Sequence, residues 1–428
     1  MTDLTDALER ERLSPGTLQD EVRERLAHVE PRVRAYRTLN PQFGLTRPQP
    51  GPLSGAPLAV KDLIDVRGLP TEGGSPAYHF MPVRHAPVVG RLVRAGALVV
   101  GKANTKELAF GITCPPTANP WNLACIPGGS SGGSAAALAA GLAWLALGTD
   151  TAGSIRIPAA LCGVAGLKPT HGRLGVKGVM ALSWTFDAVG PMARSARDLA
   201  RLYAVLNRSR REVEASQPIS VAVPENYLEG WLAPGVHDDF LAVGTVLRDA
   251  GIPVREVDME PFSTWTRLFR AVRLPEAYVY HQPMLESPAR ERLADDGLAA
   301  RLLAGRDVPA AAYIEALRER DALRQRWLKA LRPGEILALP TVPVTAPLDG
   351  EDPVDVAGER RDLWETLVRY TLPWNVLGWP ALTVPMGVSR GLPTALQLVG
   401  RPGTERMLLS AAMWYESARG PWRLPDIR

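Results

Sequence analysis

Between Gly128 and Pro158 the chain reads GGSSGGSAAALAAGLAWLALGTDTAGSIRIP. Glycine clusters at both ends demand sharp turns or close backbone approach, which glycine alone tolerates freely. The alanine-rich middle predicts a small-residue helix, and the apolar run after it predicts a buried strand. Two serine-bearing turns therefore flank one helix and one strand. Ser130 and Ser131 sit in the first turn, and Ser154 closes the second, 24 residues after Ser130. The segment supplies a candidate nucleophile, a second hydroxyl and a run of free backbone N–H groups. Serine is a weak nucleophile, so it needs a base and an oxyanion site beside it.

The six histidines are His28, His79, His85, His171, His237 and His281, and none lies within the serine turns. A Ser-His-Asp triad assembled from distant segments stays open. The sharper candidate base is Lys61, at the end of the apolar run in PLAVKD. Desolvation at a buried strand end disfavours the ammonium, and a neutral lysine can take a proton from serine. Lysine is scarce: six of the 49 basic residues, with five of the six between Lys61 and Lys177. Arginine cannot act as a base near neutral pH, so a retained lysine hints at an amine that deprotonates. Taken singly, most of these five are expected to be solvated or paired with carboxylates.

These segments resemble the amidase signature family, the Ser–cis-Ser–Lys hydrolases. PLAVKD is joined by GKANTKELAFG, NPWN, PGGSSGGSAAALAAG and GTDTAGSIRIPAALCGVAGLKPTHGR. GPMARSARDLA, LALPTVPVTAP, NVLGWPALTVPMG and GLPTALQLVG extend the similarity towards the C-terminus. It is densest over 55–200 and thin between about 205 and 335. The resemblance implies Ser154 as the acyl-forming nucleophile, Ser130 as the middle serine that relays the proton, and Lys61 as the terminal base. It implies a cis bond at Gly129–Ser130, and an oxyanion hole from the backbone N–H groups of Thr151, Ala152, Gly153 and Ser154. Ser131, Asp150 and Arg156 are supporting candidates, with ordinary turn capping as the equal alternative. Ser134 reads as a first-turn helix residue.

A glycine-rich turn before a helix can also cradle phosphate, but the P-loop pattern needs Lys-Ser or Lys-Thr after its last glycine. Here Gly133 is followed by Ser134-Ala135, which argues against nucleotide binding. Charge is intermixed and the formal net charge is only +4, so no nucleic-acid stripe is expected. The longest apolar stretch, Ala135 to Leu147, is too short to span a bilayer. The charged start MTDLTDALERER has no apolar signal region. Cys114, Cys125 and Cys162 form no CxxC pattern and cannot all pair, which points to a reducing cytosol. No His, Cys or carboxylate cluster has metal-ligand spacing, and no cofactor is called for.

Alternating strands and helices predict an α/β fold with a large mixed, mostly parallel sheet covered by helices on both faces, and the resemblance implies that this is the amidase signature fold. The whole chain 1–428 reads as a single domain, with N-terminal helices over about 1–50 and a helical pocket-forming region over about 264–375. Thr17 to Asp20 resembles a capping box for the first helix. Strands are expected at Ala97–Val100, Ile219–Val223, Leu337–Pro340, Leu382–Pro385 and Ala395–Val399. Helices are expected at 196–206, 236–250, through most of 264–332 and at 404–418. Trp184, Trp364, Tyr370 and Trp374 fall in weakly matching segments and are pocket candidates, with core the commoner role for any one of them.

The function expected is hydrolysis of a carbon–nitrogen amide bond in a small molecule, with ester hydrolysis alongside. The amidase subunit of a glutamine-dependent tRNA amidotransferase is the first alternative, and a catalytically silent binding protein on the same scaffold the second. The expected partner is a small-molecule amide. No nucleic acid or membrane is called for, and a homodimer is compatible with the sequence.

Overall fold

The computed structural model describes residues 15–209 and 211–427. The charged N-terminal stretch lies outside them, as does whatever part of the expected N-terminal helices precedes Pro15.

One eleven-stranded sheet runs through the molecule in the order β1-β3-β2-β4-β6-β5-β12-β13-β9-β7-β8. Its strands are β1 (Tyr36–Leu39), β2 (Pro57–Lys61), β3 (Leu98–Ala103), β4 (Leu145–Asp150), β5 (Ala165–Lys168) and β6 (Ala188–Ala193). They continue with β7 (Ser220–Val223), β8 (Val254–Glu256), β9 (Glu335–Pro340), β12 (Ala381–Ser389) and β13 (Leu392–Val399). A separate ribbon pairs β10 (Val354–Val356) with β11 (Glu359–Arg361). The sheet is mixed. Parallel pairing forms two blocks, β3-β2-β4 and β9-β7-β8, where helical crossovers return the chain in the same direction. The strands between them pair antiparallel, with β12 and β13 joined as a hairpin. Every residue of β2, β3, β4, β6 and β9 is buried. Successive strand residues point to opposite faces, so the sheet is covered on both sides there.

The helix Gly132–Ala139 is wholly buried and packs against β2, β3 and β4. Its small side chains let it approach the sheet closely. A Cβ on Gly133 would lie 2.4 Å from the Ala35 carbonyl oxygen and 2.5 Å from the Asn104 amide nitrogen. Both are backbone atoms and cannot swing aside.

The sequence-derived elements differ from the structure mainly at chain segments with few apolar positions. The first helix among the described residues covers Pro15–His28, so Thr17 lies within it and not ahead of it. The segment expected to be helical before residue 50 contains the edge strand β1. The 264–375 region holds the helices Phe262–Leu285, Leu298–Leu303 and Ala310–Ala330 and, over the strand expected at Leu337–Pro340, β9, but also the β10–β11 ribbon, which was not expected. Among the described residues, no helix is long and apolar enough to cross a membrane.

Gly133→Ala is expected to destabilise the fold by about 1–3 kcal/mol, the usual cost of forcing a methyl into packed surroundings. Urea denaturation with an unchanged slope and a lowered midpoint is the expected result.

Candidate active site

Val60 of β2 pairs with Leu147 of β4, so both strands end at one edge of the sheet. That edge delivers Lys61 and Thr149 together. The Lys61 Nζ lies 2.7 Å from the Ser130 Oγ and 2.8 Å from the Thr149 Oγ1, with the Thr149 carbonyl at 3.5 Å. Lys61 and Ser130 are fully buried. Burial pushes the Lys61 ammonium down to about 7, against the opposing pull of Cys114, Asp150 and Asp187. A neutral amine has two N–H groups for the Thr149 oxygens and one lone pair for the Ser130 hydroxyl. The geometry therefore suits proton transfer from Ser130 to Lys61.

The peptide bond Gly129–Ser130 is cis. Ser131 connects the two serine turns. Its N–H donates to the Ser154 carbonyl at 3.1 Å, and its hydroxyl donates to the Thr149 carbonyl and accepts from the Thr149 N–H. Ser134 donates to the Leu147 carbonyl inside the buried helix. Ser154 keeps 6% exposure where Ser130 and Ser131 have none. It is the most accessible of the three, and its hydroxyl has no hydrogen-bond partner among the described residues.

Asp150 and Arg156 brace the second turn. The Asp150 carboxylate accepts from the N–H groups of Gly153 (2.9 Å) and Ile155 (3.1 Å), and from both ends of the Arg156 fork. Arg156 spends all five of its N–H donors: two on Asp150, one each on Asn375 Oδ1, Gln397 Oε1 and the Thr371 carbonyl. Asn375 in turn donates to the Asp150 carboxylate and carbonyl. Burial alone would raise the Asp150 carboxyl, but the Arg156 guanidinium overrides it and holds it at about 2. Of the four expected oxyanion donors, the Gly153 N–H is therefore already taken by Asp150. The N–H groups of Thr151, Ala152 and Ser154 have no acceptor among the described residues.

Several residues here escape a reading confined to the serine turns. Thr149 sits two residues before Thr151 and accepts from Lys61. Thr371 donates its hydroxyl to the Ala152 carbonyl at 2.7 Å, and its Oγ1 lies 2.2 Å from where a Gly153 Cβ would stand. Asp187 takes the Thr151 hydroxyl at 2.6 Å and the Leu182 and Ser183 N–H groups, and burial raises it to about 6. Asn375 opens NVLGWPALTVPMG and Gln397 sits within GLPTALQLVG, so the matching of those two segments was the available signal. Tyr370 and Trp374 are fully buried core residues, whereas Trp184 is 45% exposed. No histidine hydrogen-bonds Ser130, Ser131 or Ser154 among the described residues. His281 instead meets the Tyr78 hydroxyl at 2.7 Å.

The amidase family model matches residues 37–409, which include all of these site residues. The chain belongs to the amidase family. Among its curated relatives is one of the subunits of the glutamyl-tRNA(Gln) amidotransferase from Roseiflexus sp. (strain RS-1), 33% identical, with all of this chain and 98% of that protein aligned. Among solved structures, one described as an amidase superposes with a TM-score of 0.91 at 36% identity, over 98% of this chain and 100% of that one. The corresponding glutamyl-tRNA(Gln) amidotransferase subunit from Thermotoga maritima superposes with a TM-score of 0.83 at 29% identity, over 98% of this chain and 97% of that one. The family's hydrolase fold accounts for the mixed sheet and its helical layers.

Arg156→Met should destabilise the fold by about 3–5 kcal/mol, because it strands the buried Asp150 carboxylate. Thermal unfolding of the purified variant checks this, and replacing Asp150 as well should recover part of the loss.

Proposed function

We propose that the chain hydrolyses a carboxamide through a Ser154 acyl-enzyme, with Ser130 and Lys61 as its proton relay. The observation that carries this reading is the 2.7 Å contact between a buried Lys61 amine and the Ser130 hydroxyl. As Ser154 Oγ bonds to the amide carbon, its proton passes to Ser130 and the Ser130 proton passes to Lys61. The carbonyl oxygen becomes an oxyanion facing the free N–H groups of Thr151, Ala152 and Ser154. Gly153 leaves the expected donor set because its N–H serves Asp150. Collapse breaks the C–N bond, and the relay returns a proton to the departing amine. Water then attacks the Ser154 ester and gives its proton to the same relay; the ester C–O bond breaks, the acid leaves, and the relay returns that proton to Ser154 Oγ. Ser131, Asp150 and Arg156 hold the turns that aim these groups. No cofactor enters the cycle.

Between the finer readings, the names of the curated relatives favour the amidase subunit of a glutamine-dependent tRNA amidotransferase over a free-standing small-molecule amidase. Two observations support the free-standing reading. The Roseiflexus alignment runs over 483 positions against 428 residues here, so that relative carries additional segments. The solved amidase superposes more closely than the Thermotoga protein. Three buried, unpaired cysteines are consistent with a reducing cytosol. Purification from the native host separates the two readings: stable recovery with further subunits supports the amidotransferase, and recovery alone with retained amidase turnover supports the free enzyme.

Ser154→Ala should abolish ammonia release from glutamine and simple carboxamides while the fold persists. An active Ser154→Ala protein, or a serine-directed fluorophosphonate labelling another residue, sinks the nucleophile assignment and leaves a silent binding protein as the alternative. Lys61→Ala and Ser130→Ala should each lower the rate by several orders of magnitude, and the double variant little more than the worse single, since groups acting as a unit are non-additive.

The pH profile follows from the lowered Lys61 value. Lys61 accepts a proton only when neutral, so kcat/KM should rise about tenfold per pH unit below about 7 and level off above it. A maximum on the acid side with a falling alkaline limb contradicts a neutral-lysine base.

A further inference from the structure

Asp187 is a buried carboxylate that the proton relay does not use, and among the described residues no cation forms an ion pair with it. Strand register explains where it sits. Asp150 of β4 pairs with Ala188 of β6 in an antiparallel ladder. The next residues outward, Thr151 and Asp187, therefore face each other just past the ends of the two strands. One Asp187 oxygen accepts the Thr151 hydroxyl at 2.6 Å. The other accepts the N–H groups of Leu182 (2.9 Å) and Ser183 (3.0 Å). These three bonds offset part of the cost of desolvating the charge, yet burial still prevails and raises the carboxyl to about 6.

Both sides of this contact are fixed to something else. On the Asp187 side, the Ser183 hydroxyl and the Thr185 N–H reach the Glu276 carboxylate of the helix Phe262–Leu285. The Tyr313 hydroxyl, from the helix Ala310–Ala330, joins Glu276 at 2.9 Å. On the other side lies the Ser154 turn, whose anchors act on Asp150, Ala152, Gly153 and Ser154 through Asn375, Thr371, Asp150 and Ser131. None of them acts on Thr151. Its hydroxyl bond to Asp187 is the one hydrogen bond the Thr151 side chain makes among the described residues. Thr149, Thr151, Leu182 and Asp187 line one small cavity together, so the contact borders the end of β4 that also meets Lys61.

We propose that Asp187 is a positioning residue whose carboxylate, through the Thr151 hydroxyl, holds the Thr151 N–H towards the developing oxyanion. This rests on the Ser154 acyl-enzyme reading, which makes that N–H an oxyanion donor. Negative charge on the carbonyl oxygen grows only as the transition state forms, so a well-aimed donor acts on kcat more than on substrate binding. An ionised acceptor also holds a hydroxyl more tightly than a neutral one. An amide at position 187 keeps the shape and loosens that hold.

The test measures ammonia release from benzamide, propionamide and glutamine above about pH 8, where Lys61 is neutral. Thr151→Val deletes the hydroxyl at nearly constant volume, and Asp187→Asn deletes the charge. Each should lower kcat about tenfold or more with KM little changed. The double variant should lose little more than the worse single, and Thr151→Ser should keep most of the activity. Fluorophosphonate labelling of Ser154, followed by mass, should slow in the same order. A pH profile adds a readout that a merely structural role would not move. Lys61, Glu276, Tyr280 and His171 face Asp187 from the elements around it, and the Asp187 charge favours the Lys61 ammonium. The acid limb of kcat/KM should therefore move to lower pH in Asp187→Asn. Melting temperatures establish that each variant is folded, and Thr151→Val against Thr151→Ser carries the test if Asp187→Asn is not. Full kcat in Thr151→Val, equal losses in Thr151→Val and Thr151→Ser, strictly additive losses or an unmoved acid limb overturns the proposal. Ser154→Ala separates the two readings. If it stays active, the acyl-enzyme reading fails. If it is inactive and unlabelled while Thr151→Val and Asp187→Asn keep full kcat, the Asp187 assignment fails alone.

Discussion

The buried Asp150–Arg156 pair is the constraint on which the site depends. Two charges taken out of water are costly unless every donor and lone pair is met. Here they are met: five N–H groups of Arg156 find acceptors, and Asp150 accepts from two backbone amides as well. The consequence reaches beyond the pair. Asp150 ends β4, Arg156 begins the helix after the turn, and Thr371, Asn375 and Gln397 come from the far end of the chain. A turn of five residues is held at both ends and from outside. Its Ser154 hydroxyl takes no hydrogen bond among the described residues, and Ser154 keeps the slight exposure that Ser130 and Ser131 lack.

A second dependence runs through backbone proximity. The helix Gly132–Ala139 lies close enough to β2, β3 and β4 that Gly133 meets main-chain atoms of Ala35 and Asn104. That closeness sets the depth at which the Ser130 turn meets the end of β2. Ser131 then joins this turn to the next through the Ser154 carbonyl. Lys61 is desolvated because strands on both sides and the helix above bury it, so the same packing that builds the sheet lowers its proton affinity.

The elements with strong apolar patterns were readable from sequence: the 196–206 helix, the β12–β13 hairpin region and the buried strand before Asp150. Less was readable at the N-terminus, where polar residues at the edge of the sheet give β1 no alternating signature and where Thr17 lies inside a helix it was expected to precede. In the site, Lys61, Ser130 and Ser154 were marked by motif, and the structure brings Lys61 to Ser130. Thr149, Thr371 and Asp187 were not, because a threonine or a lone aspartate carries no spacing signal. Their contacts arise only when segments more than thirty or two hundred residues apart are folded together. The Gly153 N–H was assigned to the oxyanion site because sequence cannot show which amide a neighbouring carboxylate will capture.

Three lysines of this chain are buried, and their comparison shows why burial alone does not select a base. Lys102 lies 3.2 Å from Asp62 and also donates to the Thr71 hydroxyl and the Pro70 carbonyl. Burial lowers it, but its carboxylate partner favours the charged form. Lys168 is pushed down to about 7 by burial and by Arg156, as far as Lys61 is. Yet among the described residues its amine hydrogen-bonds only the Pro169 carbonyl, at 3.0 Å, which has no proton to give. Lys61 alone among the three combines a lowered proton affinity with contact to a serine hydroxyl that a neighbouring turn connects to Ser154. What marks Lys61 as the candidate base is therefore what its amine touches, and desolvation only makes that amine ready to accept a proton near neutral pH.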